Sequence, residues 1–133
     1  KDDVAVVLIK HLGSLQQREA TEKLISLLQS STDEEQLIAC CQALGQKADP
    51  ETIDPLARIL RPKGFLFLRK RYHDKVRVNA ALALAQIDHP RRAEVLARHV
   101  EDPDARVSQI ARAIIEKSDG DTLPLDDADL NPT

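Results

Sequence analysis

The chain has 133 residues, 42% of them apolar and 31% charged, with a formal net charge of −3. That is the length and balance of about one globular domain. No run of about 18 apolar residues occurs, so no membrane-spanning helix is expected. Phe65, Phe67 and Tyr72 are the only aromatic residues and there are four glycines, too few for a β-sandwich, a glycine-rich nucleotide loop or a base-stacking module. Methionine is absent, and the expectation is a piece of a longer, cytoplasmic, prokaryotic protein.

Apolar residues follow a helical period from the start: Val4, Val7, Leu8 and Leu12 fall at i, i+3, i+4 and i+8. Gly13 reads as the end of this helix. Leu24, Leu27 and Leu28 repeat the spacing, and Leu37, Ile38, Cys41 and Leu44 continue it up to Gly45. Thr32 and Glu35 form a capping-box pattern ahead of the third helix. Cys40 and Cys41 are adjacent inside this apolar pattern. They have no spaced partners for disulfides and no soft ligands nearby, so they read as small buried hydrophobes. Leu56, Ile59 and Leu60 follow, then Val76, Ala80, Ala81 and Leu84. Asp49-Pro50, His89-Pro90 and Asp102-Pro103 each place proline at a first helical position.

The segments also repeat. Lys10-His11-Leu12-Gly13 returns 32 residues later as Gln42-Ala43-Leu44-Gly45, and a shift of 40 carries Leu44 to Leu84 and Leu56 to Leu96. A further shift of 30 carries Asp74 to Asp104 and Ala81 to Ala111. Periods of this size mean a solenoid. The stretch from Asp74 to Ile87, DKVRVNAALALAQI, resembles the first helix of a HEAT-like repeat of the type shared with phycobilin lyases. Asp102 to Val107 resembles the entrance to the next repeat, and the likeness covers about residues 2–117. The resemblance implies an all-α fold, a short right-handed α-solenoid of about three and a half helical hairpins. The units read as 2–31, 32–73, 74–103 and a lone helix 103–117, with 118–133 an acidic tail. In such stacks the second helices, near 18–30, 50–61 and 90–101, line the concave side, and Leu44 and Leu84 take equivalent inner positions.

Chemistry-bearing residues are sparse. The histidines are His11, His73, His89 and His99. The His-Glu pairs of the HEAT-like deoxyhypusine hydroxylases are missing, and His11 and His99 read as partly buried packing groups. No catalytic residue, metal site or cofactor is expected. Two features suit a partner. Glu22, Asp54 and Glu94, with Ser26, Arg58 and Arg98 four residues on, occupy equivalent positions in the three second helices. Asp54–Arg58 and Glu94–Arg98 have the spacing of intrahelical pairs, and the row as a whole can present a charged ladder to a partner helix or peptide.

The other feature is the basic-aromatic segment 61–73, an excess over the repeat interval that lies in a stretch, residues 61–77, with seven basic groups and one acidic between two acidic flanks. Within it, Phe65 and Phe67 either plug the gap between hairpins or, with Arg69, Lys70 and Arg71, form an exposed patch for another protein. The acidic tail is a candidate target of that patch, in its own chain or in a weakly associating copy. Acidic flanks and few stacking groups disfavour nucleic acid. The expected function is a non-enzymatic protein-interaction module. The alternatives are a lyase-like or other catalytic accessory subunit and a weak binder of phosphate backbones.

Overall fold

The computed structural model describes residues 2–61 and 72–130, with side-chain placement over 4–61 and 72–118. The described residues form seven α-helices and no strand: α1 Asp2–Ser14, α2 Arg18–Ser30, α3 Glu34–Lys47, α4 Ile53–Leu60, α5 Asp74–Gln86, α6 Pro90–Ala97 and α7 Ala105–Leu130. A 3-10 turn, Pro50–Thr52, leads into α4. Helices α1, α3, α5 and α7 pack side by side as one layer, and α2, α4 and α6 form a second. Each second helix lies chiefly on the first helix of the following unit: α2 on α3, α4 on α5, α6 on α7. A hairpin therefore completes its core only through its neighbour, which makes the fold an all-α solenoid of helical hairpins.

The core lies between the layers. Leu24, Leu28, Leu56, Leu60 and Leu96 meet Cys40, Cys41, Leu44, Ala80, Ala81, Leu84, Val107 and Ala111, all but inaccessible to water. Leu44 and Leu84 are both fully buried, as their equivalent positions require. Both cysteines are free and buried. Burial pushes the Cys40 thiol up to about 12 and raises Cys41 further, with Cys40 beside it adding to the effect. Neither is a thiolate near neutral pH, which suits inert packing groups.

Gly13 and Gly45 depart from the expected role. Neither ends a helix in a left-handed conformation; both lie inside their helices and are buried. The left-handed residue that terminates α3 is Ala48, with φ of 54°. The glycines serve close approach instead. A Cβ at Gly13 would stand 2.8 Å from the Ala43 Cβ, and one at Gly45 would stand 2.9 Å from the Ala83 Cα. Glycine on alanine is thus the contact between successive first helices, α1 on α3 and α3 on α5.

Helix starts shift as well. Asp33, not Thr32, caps α3 and accepts the Gln36 N–H at 3.0 Å, because the short aspartate carboxylate reaches the first-turn amide one residue later. Asp49 caps the turn at Pro50, accepting from the Glu51 N–H at 2.9 Å. His73 and His89 cap α5 and α6 through Nδ1, accepting the Lys75 and Arg91 amides at 3.1 Å. Asp102-Pro103 does not open α7. Asp104 does, accepting the Arg106 N–H at 2.8 Å, and Asp102 is turned inward. The last helix also runs past 117, with helical backbone through Leu130. Gly120 lowers helix propensity by about 1 kcal/mol without forbidding helix.

Asp102 belongs to the one buried charge network of the described residues. Arg77, 1% exposed, donates to both its carboxylate oxygens, at 3.0 and 2.6 Å, and to the Leu60 carbonyl at 2.6 Å. The Asp104 amide donates to Asp102 at 2.9 Å, and His99 Nδ1 lies 3.2 Å from its other oxygen. Arg77 therefore ties the end of α4 to α5 and to the turn before α7. Its Nε–H finds no acceptor among the described residues. Burial acts to raise the Asp102 carboxyl, but the Arg77 hydrogen bonds, with those from Asp104 and His99, hold it below its usual 3.8. Burial pushes His99 below its usual 6.5 despite the carboxylate beside it, and Arg77 and Arg98 push the same way.

Three stability measurements follow from this packing. Leu84→Ala should cost about 2–5 kcal/mol by lost transfer energy and a residual cavity, and thermal unfolding would read it as a large fall in Tm. Gly45→Ala should also lower Tm. A methyl group against the Ala83 backbone costs about 1–3 kcal/mol as overpacking, more than the roughly 1 kcal/mol that alanine gains in helix propensity; a variant as stable as the parent would refute the close approach. His99 is neutral in the folded state to a lower pH than in the unfolded chain, so it lowers stability only once pH falls below its unfolded value of 6.5. Denaturant unfolding of the parent should lose more stability between pH 7 and 5 than that of His99→Gln, and equal slopes would show that burial leaves this imidazole unperturbed.

Candidate partner-binding face

The layer of second helices carries the charged row. Proline at the start of the turn at Pro50 and of α6 sets matching entries, so positions one repeat apart come into line. The apolar stripe of each second helix faces the first-helix layer, and the polar residues between face outward. Glu22, Ser26, Asp54, Arg58, Glu94 and Arg98 are all exposed, as equivalent repeat positions predict.

The pairing within the row differs from its i,i+4 spacing. Asp54 does not turn back to Arg58; it reaches across to Arg91 of α6 at 2.8 Å. Arg18 of α2 likewise joins Glu22 at 3.1 Å and Glu51, ahead of α4, at 2.5 Å. The hydrogen bond from Arg18 to Glu51, then that to Glu22, raises the Arg18 guanidinium, and the bond to Asp54 raises that of Arg91. The cause is geometric: the chain enters neighbouring second helices side by side, so their first turns are within reach of one another. Fully exposed pairs of this kind add little to stability, but they bridge consecutive second helices. Arg18, Glu51 and Arg91 lay outside the row read from equivalent positions. The signal available was the i,i+4 spacing of Arg18 and Glu22.

The consequence is a division of the row. Glu22 and Asp54 are engaged in ion pairs, whereas Arg58, Glu94 and Arg98 are exposed and form no ion pair among the described residues. Phe65, Phe67, Arg69, Lys70 and Arg71 lie outside the described residues. At the edges of that segment, Tyr72 is half-buried against the core and His73 stands 3.4 Å from Glu34.

The remaining histidines do not gather. His11 is exposed rather than set in a helix seam, because α1 turns it away from α3, and His73, His89 and His99 serve as two caps and a buried partner of Asp102. No three histidine, cysteine or carboxylate side chains among the described residues converge as metal ligands. An open polar cleft of about 290 Å³ lies at the hairpin turns, lined by Gly13, Ser14, Leu15, Thr21, Lys47 and Asp49 among others. Lys47 there donates to the Leu15 carbonyl, bridging the turns of the first two units. None of the described helices is long and apolar enough to cross a membrane.

Comparison with known families accords with this architecture. Residues 1–69 match the model for HEAT repeats, and residues 76–102 match the PBS lyase HEAT-like repeat. No curated protein matches the chain. HEAT repeats are generally protein-interaction scaffolds. With the family model covering more than half its length, and with hairpins stacked in one register, the chain belongs to the HEAT-repeat family.

Proposed function

We infer that the chain is a non-enzymatic protein-interaction module whose recognition face is the row of second helices, α2, α4 and α6. The observation that carries this reading is the unequal pairing of the row. Asp54 is neutralised by Arg91, while Arg58 and Arg98 stand exposed at equivalent positions of consecutive units, with no ion pair among the described residues. Two guanidiniums held by a rigid scaffold suit carboxylates spaced along a partner helix or extended peptide, since the planar fork binds carboxylate bidentately. Glu94, one turn before Arg98, gives the face a charge pattern rather than a uniform field, which favours one register of the partner.

The segment holding Phe65, Phe67, Arg69, Lys70 and Arg71 connects α4 to α5 and so joins this layer to the other. In this reading its aromatic residues add apolar anchorage and its basic residues extend the preference for an acidic partner. A second reading, a catalytic accessory subunit, has the match of residues 76–102 to the PBS lyase HEAT-like repeat in its favour.

Charge reversal separates the two. Arg58→Glu with Arg98→Glu should leave melting within about 0.5 kcal/mol of the parent, because both side chains are exposed and unpaired. The same variant should capture the natural partner from lysate at least about tenfold more weakly, with the parent's own binding falling as salt rises. Undiminished capture by the folded variant would remove the row from the interface.

A further inference from the structure

The boundary between the first two hairpins differs from the next one at a single place. A shift of 32 carries Thr21 to Ile53, and a shift of 40 carries Lys47 to Ile87. Between the second and third units Ile53 and Ile87 are buried members of the core. Between the first and second units a hydroxyl and an ammonium stand in their places. The open polar cleft at the hairpin turns lies here, with Thr21, Lys47 and Asp49 in its lining. It is found where two polar residues replace an apolar pair.

Thr21 is 3% exposed, and its hydroxyl makes no hydrogen bond among the described residues. Arg77 Nε is the only described side-chain atom both unpartnered and sealed from water, so the Thr21 hydroxyl keeps accessible surface, and the cleft is where that surface opens. Buried Thr52 shows the ordinary arrangement, its hydroxyl donating to the Asp49 carbonyl at 2.8 Å. An unmade hydrogen bond at a buried hydroxyl is costly, and Ile53 shows that the fold needs no hydroxyl at this position. Lys47 gives one N–H to the Leu15 carbonyl and keeps its others. Asp49 accepts the Glu51 amide through one oxygen and leaves the other without a hydrogen bond among the described residues. The two charges line one cleft, on either side of left-handed Ala48, yet form no ion pair with each other.

We propose that this cleft is a binding site for a small zwitterion, an α-amino acid with a polar side chain. Its carboxylate takes the remaining donors of Lys47 and the Thr21 hydroxyl, and its ammonium meets the open oxygen of Asp49. The charges disfavour simpler ligands: a phosphate meets the Asp49 carboxylate, and a simple cation meets Lys47. Leu15 is the only large apolar residue in the lining, so an aliphatic or aromatic side chain finds little to bury against, whereas Gln16 and Gln46 supply amides. At about 290 Å³ the cleft has room for such a molecule. The site uses none of Arg58, Glu94 and Arg98 and does not depend on the row of second helices.

Titration of the isotope-labelled intact chain with L-glutamine, followed by NMR, tests it. The backbone amides of Leu15, Gln16, Thr21 and Lys47 should shift together and saturate, with a Kd below about 10 mM. Acetate, methylammonium and inorganic phosphate should each bind at least about tenfold more weakly, since none satisfies both charges of the cleft. Thr21→Val keeps the shape of the side chain at a position where the next unit has isoleucine. It should therefore keep the parent's helical spectrum yet bind L-glutamine about tenfold more weakly. Asp49→Asn retains an acceptor for the Glu51 amide and should abolish the preference for L-glutamine over acetate. No saturable shift up to about 50 mM, or shifts centred away from the cleft, would overturn the proposal. So would a preference for phosphate or acetate in the parent, undiminished binding by folded Thr21→Val, or a preference for L-glutamine that survives Asp49→Asn.

Discussion

One guanidinium holds the second half of the solenoid to the first. The repeat interval lengthens after Leu60, and α4 and α5 are joined through a connection longer than the other turns. A stack of hairpins that rely on their neighbours for a core is vulnerable at such a break, since neither half buries its end alone. Arg77 spans it. The side chain leaves the first turn of α5, takes the last free carbonyl of α4 at Leu60, and closes bidentately on Asp102 before α7. The end of α4, the start of α5 and the turn before α7 are thus tied through one ion pair whose side chains are 2% and 3% exposed. Removing one partner of such a buried pair strands the other, at about 3–5 kcal/mol. The pair is also directional, so it fixes the angle at which the following hairpins continue, which uniform apolar packing would leave looser.

The rest of the geometry depends on spacing in the first-helix layer. Gly13 on Ala43 and Gly45 on Ala83 bring successive first helices together where any larger residue would part them. Gln42 and Asn79 add a hydrogen bond of 3.2 Å across the same contact. Close packing in one layer, with leucines filling the space beneath the other, sets the second helices beside one another so that Arg18 reaches Glu51 and Asp54 reaches Arg91. The charged face is thus a consequence of two small residues on the far side of the molecule. Widening that contact would shift the second helices and break the register between Arg58 and Arg98.

Repeat arithmetic on the sequence locates what periodicity controls. The hairpins, the burial of Leu44 and Leu84, the inert cysteines and the exposure of the row all follow from equivalent positions. Residues that act once, or act in two ways, escape it. Arg77 lies at the place of Leu37 in the preceding unit and Val107 in the next, so no repeat predicts an arginine in the core. Asp102 precedes a proline and looks like a cap, yet the cap is Asp104, and the carboxylate that seems surplus is the one Arg77 needs. Glycine near the end of a helical pattern has two uses, chain reversal and close approach. Only packing partners decide between them. The ion pairs of the row depart from its spacing for a related reason: i,i+4 spacing speaks of one helix, whereas Asp54 meets a residue 37 positions away.

The two ends of the described stack are built differently, and the difference has a physical logic. At the α7 end, Ser108 and Arg112 bond the Val100 carbonyl and Arg112 lies 3.4 Å from Glu101. The Val100 carbonyl, just past α6, is thereby satisfied by polar groups that water also solvates. At the α1 end, among the described side chains, three branched ones, Val4, Val7 and Leu8, face outward. A solenoid stabilised by nearest-neighbour interfaces gains nothing from an apolar face at its edge unless something covers it. The inner interfaces show which helices can come close: those with glycine opposite alanine. On α1, His11 and Leu8 occupy the positions that alanine and a small residue take in the inner units, so a helix could not approach this face as closely as α1 approaches α3 or α3 approaches α5.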